Sequence, residues 1–226
     1  MARTKLKDRH LPDYTKGEEI FNMVSHIVGG ALGVAVTALC VIFAALCGNV
    51  YGVVGGAIYG GTMIMLYTMS SIYHGLRPNT TGKKVFQVID HCSIFLLIAG
   101  TYTPIALVSL REYNTALGWT IFGIIWGAAA LGITLNAIDL KSYKVFSMIC
   151  YLAMGWCIVM CAKQAYLALG FGGTLFILLG GVAYTIGAVL YGVGKKHRYF
   201  HSIFHLFIVA GSVLQFFGIL FYVMMK

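Results

Sequence analysis

Seven apolar runs follow one another along this sequence with short polar breaks between them, near residues 21–46, 53–76, 86–108, 117–137, 143–163, 171–194 and 199–224. Each is close to the roughly 20 residues that carry an α-helix across bilayer hydrocarbon. In that solvent every backbone polar group must be satisfied internally, so only helices and closed barrels can span. The runs are continuous rather than alternating over ten-residue segments, which excludes a barrel. The expectation is an all-α membrane protein, a seven-transmembrane helix bundle that forms a single domain over residues 21–226 behind a polar tail, residues 1–20. The low charge content of 10% and the mean hydropathy of +0.84 leave no room for an ordinary soluble domain.

A formal charge of +9 would suggest nucleic acid in a soluble protein, but here its placement reports topology. Arg3, Lys5, Lys7, Arg9 and Lys16 precede the first run, and Arg77, Lys83 and Lys84 follow the second. Lys141 and Lys144 follow the fourth, and Lys195, Lys196 and Arg198 the sixth, against Arg111, Lys163 and Lys226 on the other side. The positive-inside rule then predicts a cytoplasmic N-terminus and an external C-terminus, the reverse of a G-protein-coupled receptor. Membrane lipid is the expected partner, nucleic acid is not, and the expected location is the plasma or inner cell membrane as a multi-pass protein. The first twenty residues lack the apolar core and cleavage site of a signal peptide, so the first run is expected to remain as an anchor.

Smaller features fit a packed bundle. Glu18 and Glu19 fall where a helix N-terminus favours negative charge. Gly29, Gly33, Gly52, Gly56, Gly60, Gly180, Gly181 and Gly187 lie at or near the spacing that lets membrane helices approach closely. The six cysteines contain no CxxC pair and read as buried packing thiols. His26, one turn inside the first run, reads as a packing or interfacial histidine.

The last run is different, because His201 and His205 stand four residues apart inside it and therefore project from one helix face. Ionisable groups in a span are costly and usually face a protein interior or a water-filled cavity. Counted at about 1.5 Å per residue from the nearest charged boundary, His74 and His201 lie roughly 5 Å deep, and Ser70, Asp90 and His205 roughly 9–10 Å deep. All five occupy one shallow layer on the expected cytoplasmic side. Three imidazoles with a carboxylate meet the needs of a catalytic zinc site: His74, His201 and His205 as ligands, an open position for water, and Asp90 to hold and deprotonate that water. Ser70 would orient a ligand or donate to an oxyanion, and His91, about 100° round the helix from Asp90, would support the site from outside. A metal-free polar network and a bis-histidine haem remain open at this point. Retinal is disfavoured, since the last run carries no lysine before Lys226.

At these residues the chain resembles a known family. Ser70-x-x-x-His74, Ile89-Asp90-His91 followed by Ile94 to Pro104, His201-x-x-x-His205-Leu206-Phe207 with Ala210-Gly211-Ser212, and Gly17-Glu18-Glu19-Ile20 through His26 are similar to the bacterial haemolysin III branch of the progestin and adipoQ receptor (PAQR) family. That family sits within a superfamily of membrane hydrolases that includes the alkaline ceramidases. The resemblance implies seven transmembrane helices with a cytoplasmic N-terminus. It implies Zn²⁺ held by His74, His201 and His205, Asp90 on the zinc-bound water, and Ser70 beside the site. Gln215 departs from the pattern, where bacterial members often carry histidine. The leading expectation is a zinc-dependent hydrolase of a lipid amide or ester at the inner leaflet. The alternatives are a non-enzymatic sensor of membrane state with structural zinc, and a pore-forming cytolysin.

Overall fold

The computed structural model describes residues 4–194 and 197–226, with Lys7 described by its backbone alone. Arg3, Lys195 and Lys196 of the charge pattern lie outside the described residues. Among the described residues every regular element is helical.

Helix α1, Lys16–Leu46, opens on a reciprocal cap: Glu18 N donates to Thr15 Oγ1 at 3.3 Å, and Thr15 N donates to Glu18 Oε2 at 2.8 Å. Two otherwise orphaned donors are satisfied, so the helix starts five residues ahead of the apolar run. Asn49 caps α2, Val50–Gly75, and Thr80 caps α3, Thr81–Tyr113. Within α3 the chain passes Pro104, which has no N–H to donate, and then widens to π-type turns over Ile105–Leu110. Helix α4 covers Thr115–Asp139, α5 Lys144–Gly155, α6 Ala162–Val193 and α7 Phe200–Met224.

Six stretches among the described residues are long and apolar enough to cross a membrane. The fifth, Lys144–Val193, has 50 residues; drawn straight it would reach about 75 Å, more than twice the hydrocarbon thickness. It is not straight. Trp156 Nε1 donates to Thr185 Oγ1 at 3.0 Å, although a continuous helix would hold these residues roughly 43 Å apart. The chain doubles back at Gly170, whose φ of 71° and ψ of 177° belong to a region open to glycine alone. Two of the seven expected runs therefore fall within this one stretch.

Contacts define two ends of the bundle. At one end Thr4 N donates to Asp139 Oδ2 at 2.8 Å, Lys83 Nζ to Glu19 Oε1 at 2.6 Å, and Tyr199 N to Glu18 Oε1 at 2.6 Å. These bonds gather the N-terminal tail with the α2–α3, α4–α5 and α6–α7 connections, where the sequence concentrates its basic residues. At the other end Arg111 lies over the Tyr51 ring at 3.7 Å, and Lys226 donates to the Ala168 carbonyl.

The glycines act as the spacing predicts. A Cβ at Gly29 would stand 2.6 Å from the Tyr67 ring, one at Gly56 2.9 Å from Cys40, and one at Gly60 would overlap Thr37. Such closeness between α1 and α2 gains dispersion contacts, a main drive for helix association in lipid. The cysteines need a correction. Cys40, Cys157 and Cys161 are buried and Cys92 and Cys150 half-buried, but Cys47 is exposed because α1 ends one residue before it.

Candidate metal centre

The first turn of α7 carries His201 and the second His205, and the turn begins from a strained residue. Tyr199 is left-handed, with φ 62°, a conformation costly for a bulky side chain and one that persists when its surroundings fix it. What fixes it is Glu18, whose Oε1 accepts the Tyr199 N–H. From the last turn of α2 His74 completes a trio. His201 Nε2 lies 3.3 Å from His74 Nε2 and 3.0 Å from His205 Nε2. All three ring nitrogens fall within 4.8 Å of one another, and His74 and His205 are almost fully buried.

A carboxylate outside the expected set aims this trio. Glu19 Oε2 lies 2.6 Å from His74 Nδ1, while its Oε1 accepts from Lys83 Nζ at 2.6 Å. Lys83 is itself buried, with Nζ also donating to the Leu76 carbonyl at 3.1 Å. Glu19 thus accepts a hydrogen bond from His74 Nδ1–H, which favours the tautomer whose Nε2 lone pair is directed at the other rings. Reading Glu18 and Glu19 only as helix-end charge missed both roles. The signal available was spacing: Glu19, Asn22 and His26 share one face of α1, an unusual polar stripe at the head of an apolar helix.

The donor set fits a cation better than it fits itself. A single proton on His201 Nε2 can serve one of its two neighbouring nitrogens well, and the remaining lone pairs then face each other. Burial removes the water that would relieve them, and an unmet buried polar group costs about 1–3 kcal/mol. A positive ion among the three nitrogens would satisfy all of them together.

Asp90 of α3 and Ser70 of α2 share a cavity of about 150 Å³ with two of the three rings, His201 and His205, and with His26. Asp90 is not among the three groups whose ligand atoms converge. His26 stacks on His205, with ring centroids 3.7 Å apart and planes 14° apart, and neither of its ring nitrogens has a partner. It is a packing residue, as the sequence suggests, but the ring it packs on belongs to the trio. His91 does not touch the three rings. Its Nδ1 donates to the Gln87 carbonyl at 2.8 Å, its Nε2 meets Tyr191 Oη at 3.3 Å, and Asp90 Oδ2 stands 3.8 Å away. Gln215 lies at the far end of the cavity and donates to the Ile177 carbonyl at 3.0 Å.

The N-terminal tail closes the site from the polar end. The Tyr14 ring stacks on His201 at 4.9 Å and lies 5.7 Å from His74. Burial pushes its phenol well above the ordinary range, so it stays protonated and neutral.

Similarity to known proteins coincides with this geometry. The model of the family described as "Haemolysin-III related" matches residues 14–216, which takes in every residue of the trio and Tyr14. The chain is 37% identical over 207 residues to "Hemolysin-3" of Bacillus cereus, covering 92% of each chain. It is 36% identical over 209 residues to "Hemolysin-3 homolog" of Bacillus subtilis (strain 168), covering 92% of this chain and 96% of the relative. The human "Monocyte to macrophage differentiation factor" is 25% identical over 166 residues, covering 72% of this chain and 67% of that protein. With a match that runs from the lid residue Tyr14 to beyond the last ring of the trio, the chain belongs to the haemolysin III branch of the PAQR family.

Proposed function

We propose that this protein is a zinc-dependent hydrolase of a lipid amide or ester. In this reading it crosses the membrane seven times, with its N-terminus and its histidine trio on the cytoplasmic side. The observation that carries the reading is the convergence of three imidazole nitrogens, two of them on rings that line an apolar cavity whose wall also holds a carboxylate and a hydroxyl. Zinc suits the donors: tetrahedral bonds of about 2.0–2.1 Å set ligand nitrogens roughly 3.3 Å apart, and His201 lies 3.0 and 3.3 Å from its neighbours. The basic residues gathered at that end support the orientation through the positive-inside rule, and the reversal at Gly170 supports seven crossings.

When bound, zinc supplies Lewis acidity, lowering the pKa of water and polarising a carbonyl. The chain's own residues do the rest. His74, His201 and His205 hold the ion, and Glu19 keeps His74 in the tautomer that can. Asp90 takes the proton of the attacking water and returns it to the leaving nitrogen or oxygen. Ser70 donates to the developing oxyanion. The apolar wall takes the acyl chain and keeps bulk water from the reacting atoms.

Replacing Asp90 with Asn separates this reading from a zinc-clamped sensor. Reconstituted Asp90→Asn protein is expected to keep its zinc and lose lipid turnover. Equal turnover by the variant and the wild type, or no turnover of any lipid by the wild type, would sink the hydrolase reading.

A further inference from the structure

The three rings of the trio are not held alike. All three turn Nε2 toward one another, so whatever steadies a ring must act on its Nδ1 or on its flat faces. At His74 it is a hydrogen bond: Nδ1 meets Glu19 Oε2 at 2.6 Å, and among the described residues no neighbouring ring lies parallel to it. At His201 and His205 the arrangement is reversed. Nδ1 of each is buried without a hydrogen bond; the Asn22 carbonyl approaches His205, but short of hydrogen-bond geometry. Each has instead one near-parallel ring stacked on it, Tyr14 on His201 at 4.9 Å and 23°, and His26 on His205 at 3.7 Å and 14°. Their other described aromatic neighbours stand tilted or edge-on.

Both covering rings belong to residues 14–26, the segment that also carries Glu19. That segment is itself fixed. The Thr15–Glu18 cap starts α1, Glu18 holds Tyr199 at the head of α7, and the His26 ring meets the buried Tyr67 of α2 edge-on at 4.9 Å. Neither nitrogen of His26 has a partner, and an unmet polar ring inside a span is less favourable than an aliphatic side chain of similar size. What the ring offers that leucine does not is a flat face. Rotation of a histidine ring about its Cβ–Cγ bond is soft. It would turn the Nε2 lone pair away from the trio, and it would drive ring atoms into any surface stacked on the ring. A parallel face therefore resists it where a hydrogen bond is lacking.

We infer that Tyr14 and His26 are positioning residues of the metal centre: their ring faces hold His201 and His205 in the planes that aim Nε2 into the trio, as the Glu19 carboxylate does for His74. This rests on the reading of the trio as a zinc site, and not on the hydrolase chemistry. The head of α1 and the residue that leads into it then orient all three ligands from one side, before an ion arrives.

The test measures zinc affinity of the full-length protein in detergent, by competition with a chromogenic chelator, beside the visible absorption of the cobalt(II)-loaded form, which reports ligand geometry. Tyr14→Leu and His26→Leu remove the faces; Tyr14→Phe keeps its face and removes only the hydroxyl. Each leucine variant is expected to weaken zinc binding by about 10- to 100-fold, the usual effect of losing a group that orients a metal-bound histidine. Each should also alter the cobalt absorption, while the zinc-free protein unfolds at the wild-type temperature. Tyr14→Phe is expected to match wild type in both. A loss under five-fold in the leucine variants, or of five-fold or more in Tyr14→Phe, would overturn the inference. So would unchanged affinity with a lower unfolding temperature, the mark of packing alone. Because Tyr14 lies in the tail ahead of α1, its two variants decide the outcome should His26→Leu fail to fold. Wild-type protein that takes up no metal would sink the zinc reading and this inference with it. Wild-type protein whose variants show these affinity changes, but which cleaves no lipid, sinks the hydrolase reading alone.

Discussion

The two ends of the bundle are built from different physics. At the tail end, buried polar groups hold one another in order: Lys83 fixes Glu19, Glu19 fixes His74, and Glu18 fixes the turn that presents His201. Toward the middle and the far end, order comes from contact alone, with glycines of α1 and α2 set against Tyr67, Cys40 and Thr37. Polar order is directional and depends on each member of the chain; contact order is spread over many small terms. The first kind can aim a ligand atom, and the second can hold helices together while chemistry at the other end changes. Substitutions at the two ends should therefore fail in different measurements.

The largest effect is expected at the ligands. His205→Ala should abolish stoichiometric zinc in metal analysis of the purified protein while its helical circular dichroism remains. Next comes Asp90→Asn, expected to lower lipid turnover by roughly 10²- to 10⁴-fold, the usual worth of a general base, with zinc content equal to wild type. Glu19→Gln should weaken zinc binding by about 10- to 100-fold in competition with a chromogenic chelator, as for other partners of metal-bound histidine. Substitution at the contact end should give the converse. Gly60→Ala forces a methyl against Thr37 and should cost about 1–3 kcal/mol of overpacking, read as a lower unfolding temperature in detergent. Its zinc affinity below that temperature should match wild type. If Gly60→Ala lost zinc while still folded, or Glu19→Gln lost only stability, the division between the ends would break.

Much of this was legible in the sequence because helices are periodic. Four-residue spacing puts His201 and His205 on one face, and depth counted from charged boundaries brings His74, Asp90 and Ser70 to their level. The glycine seam between α1 and α2 was readable for the same reason. Glu19 was not, because the group it serves is 55 residues away and its own helix offers the simpler reading of an acid at an N-terminus. The tail was not legible either. Residues 4–15 have no helical or strand period, so nothing local predicts that Tyr14 returns to cover His201. The break between the fifth and sixth apolar runs marked where the chain turns, but only the backbone of Gly170 shows how.

The central claim is that three imidazoles of this chain hold zinc. X-ray absorption at the zinc edge, on wild-type protein purified without chelator, tests it most directly. The expected result is one zinc per chain with nitrogen or oxygen neighbours at about 2.0–2.1 Å and imidazole scattering that falls to two rings' worth or vanishes in His205→Ala. Protein without stoichiometric zinc, or a zinc shell dominated by sulfur at about 2.3 Å, would contradict it.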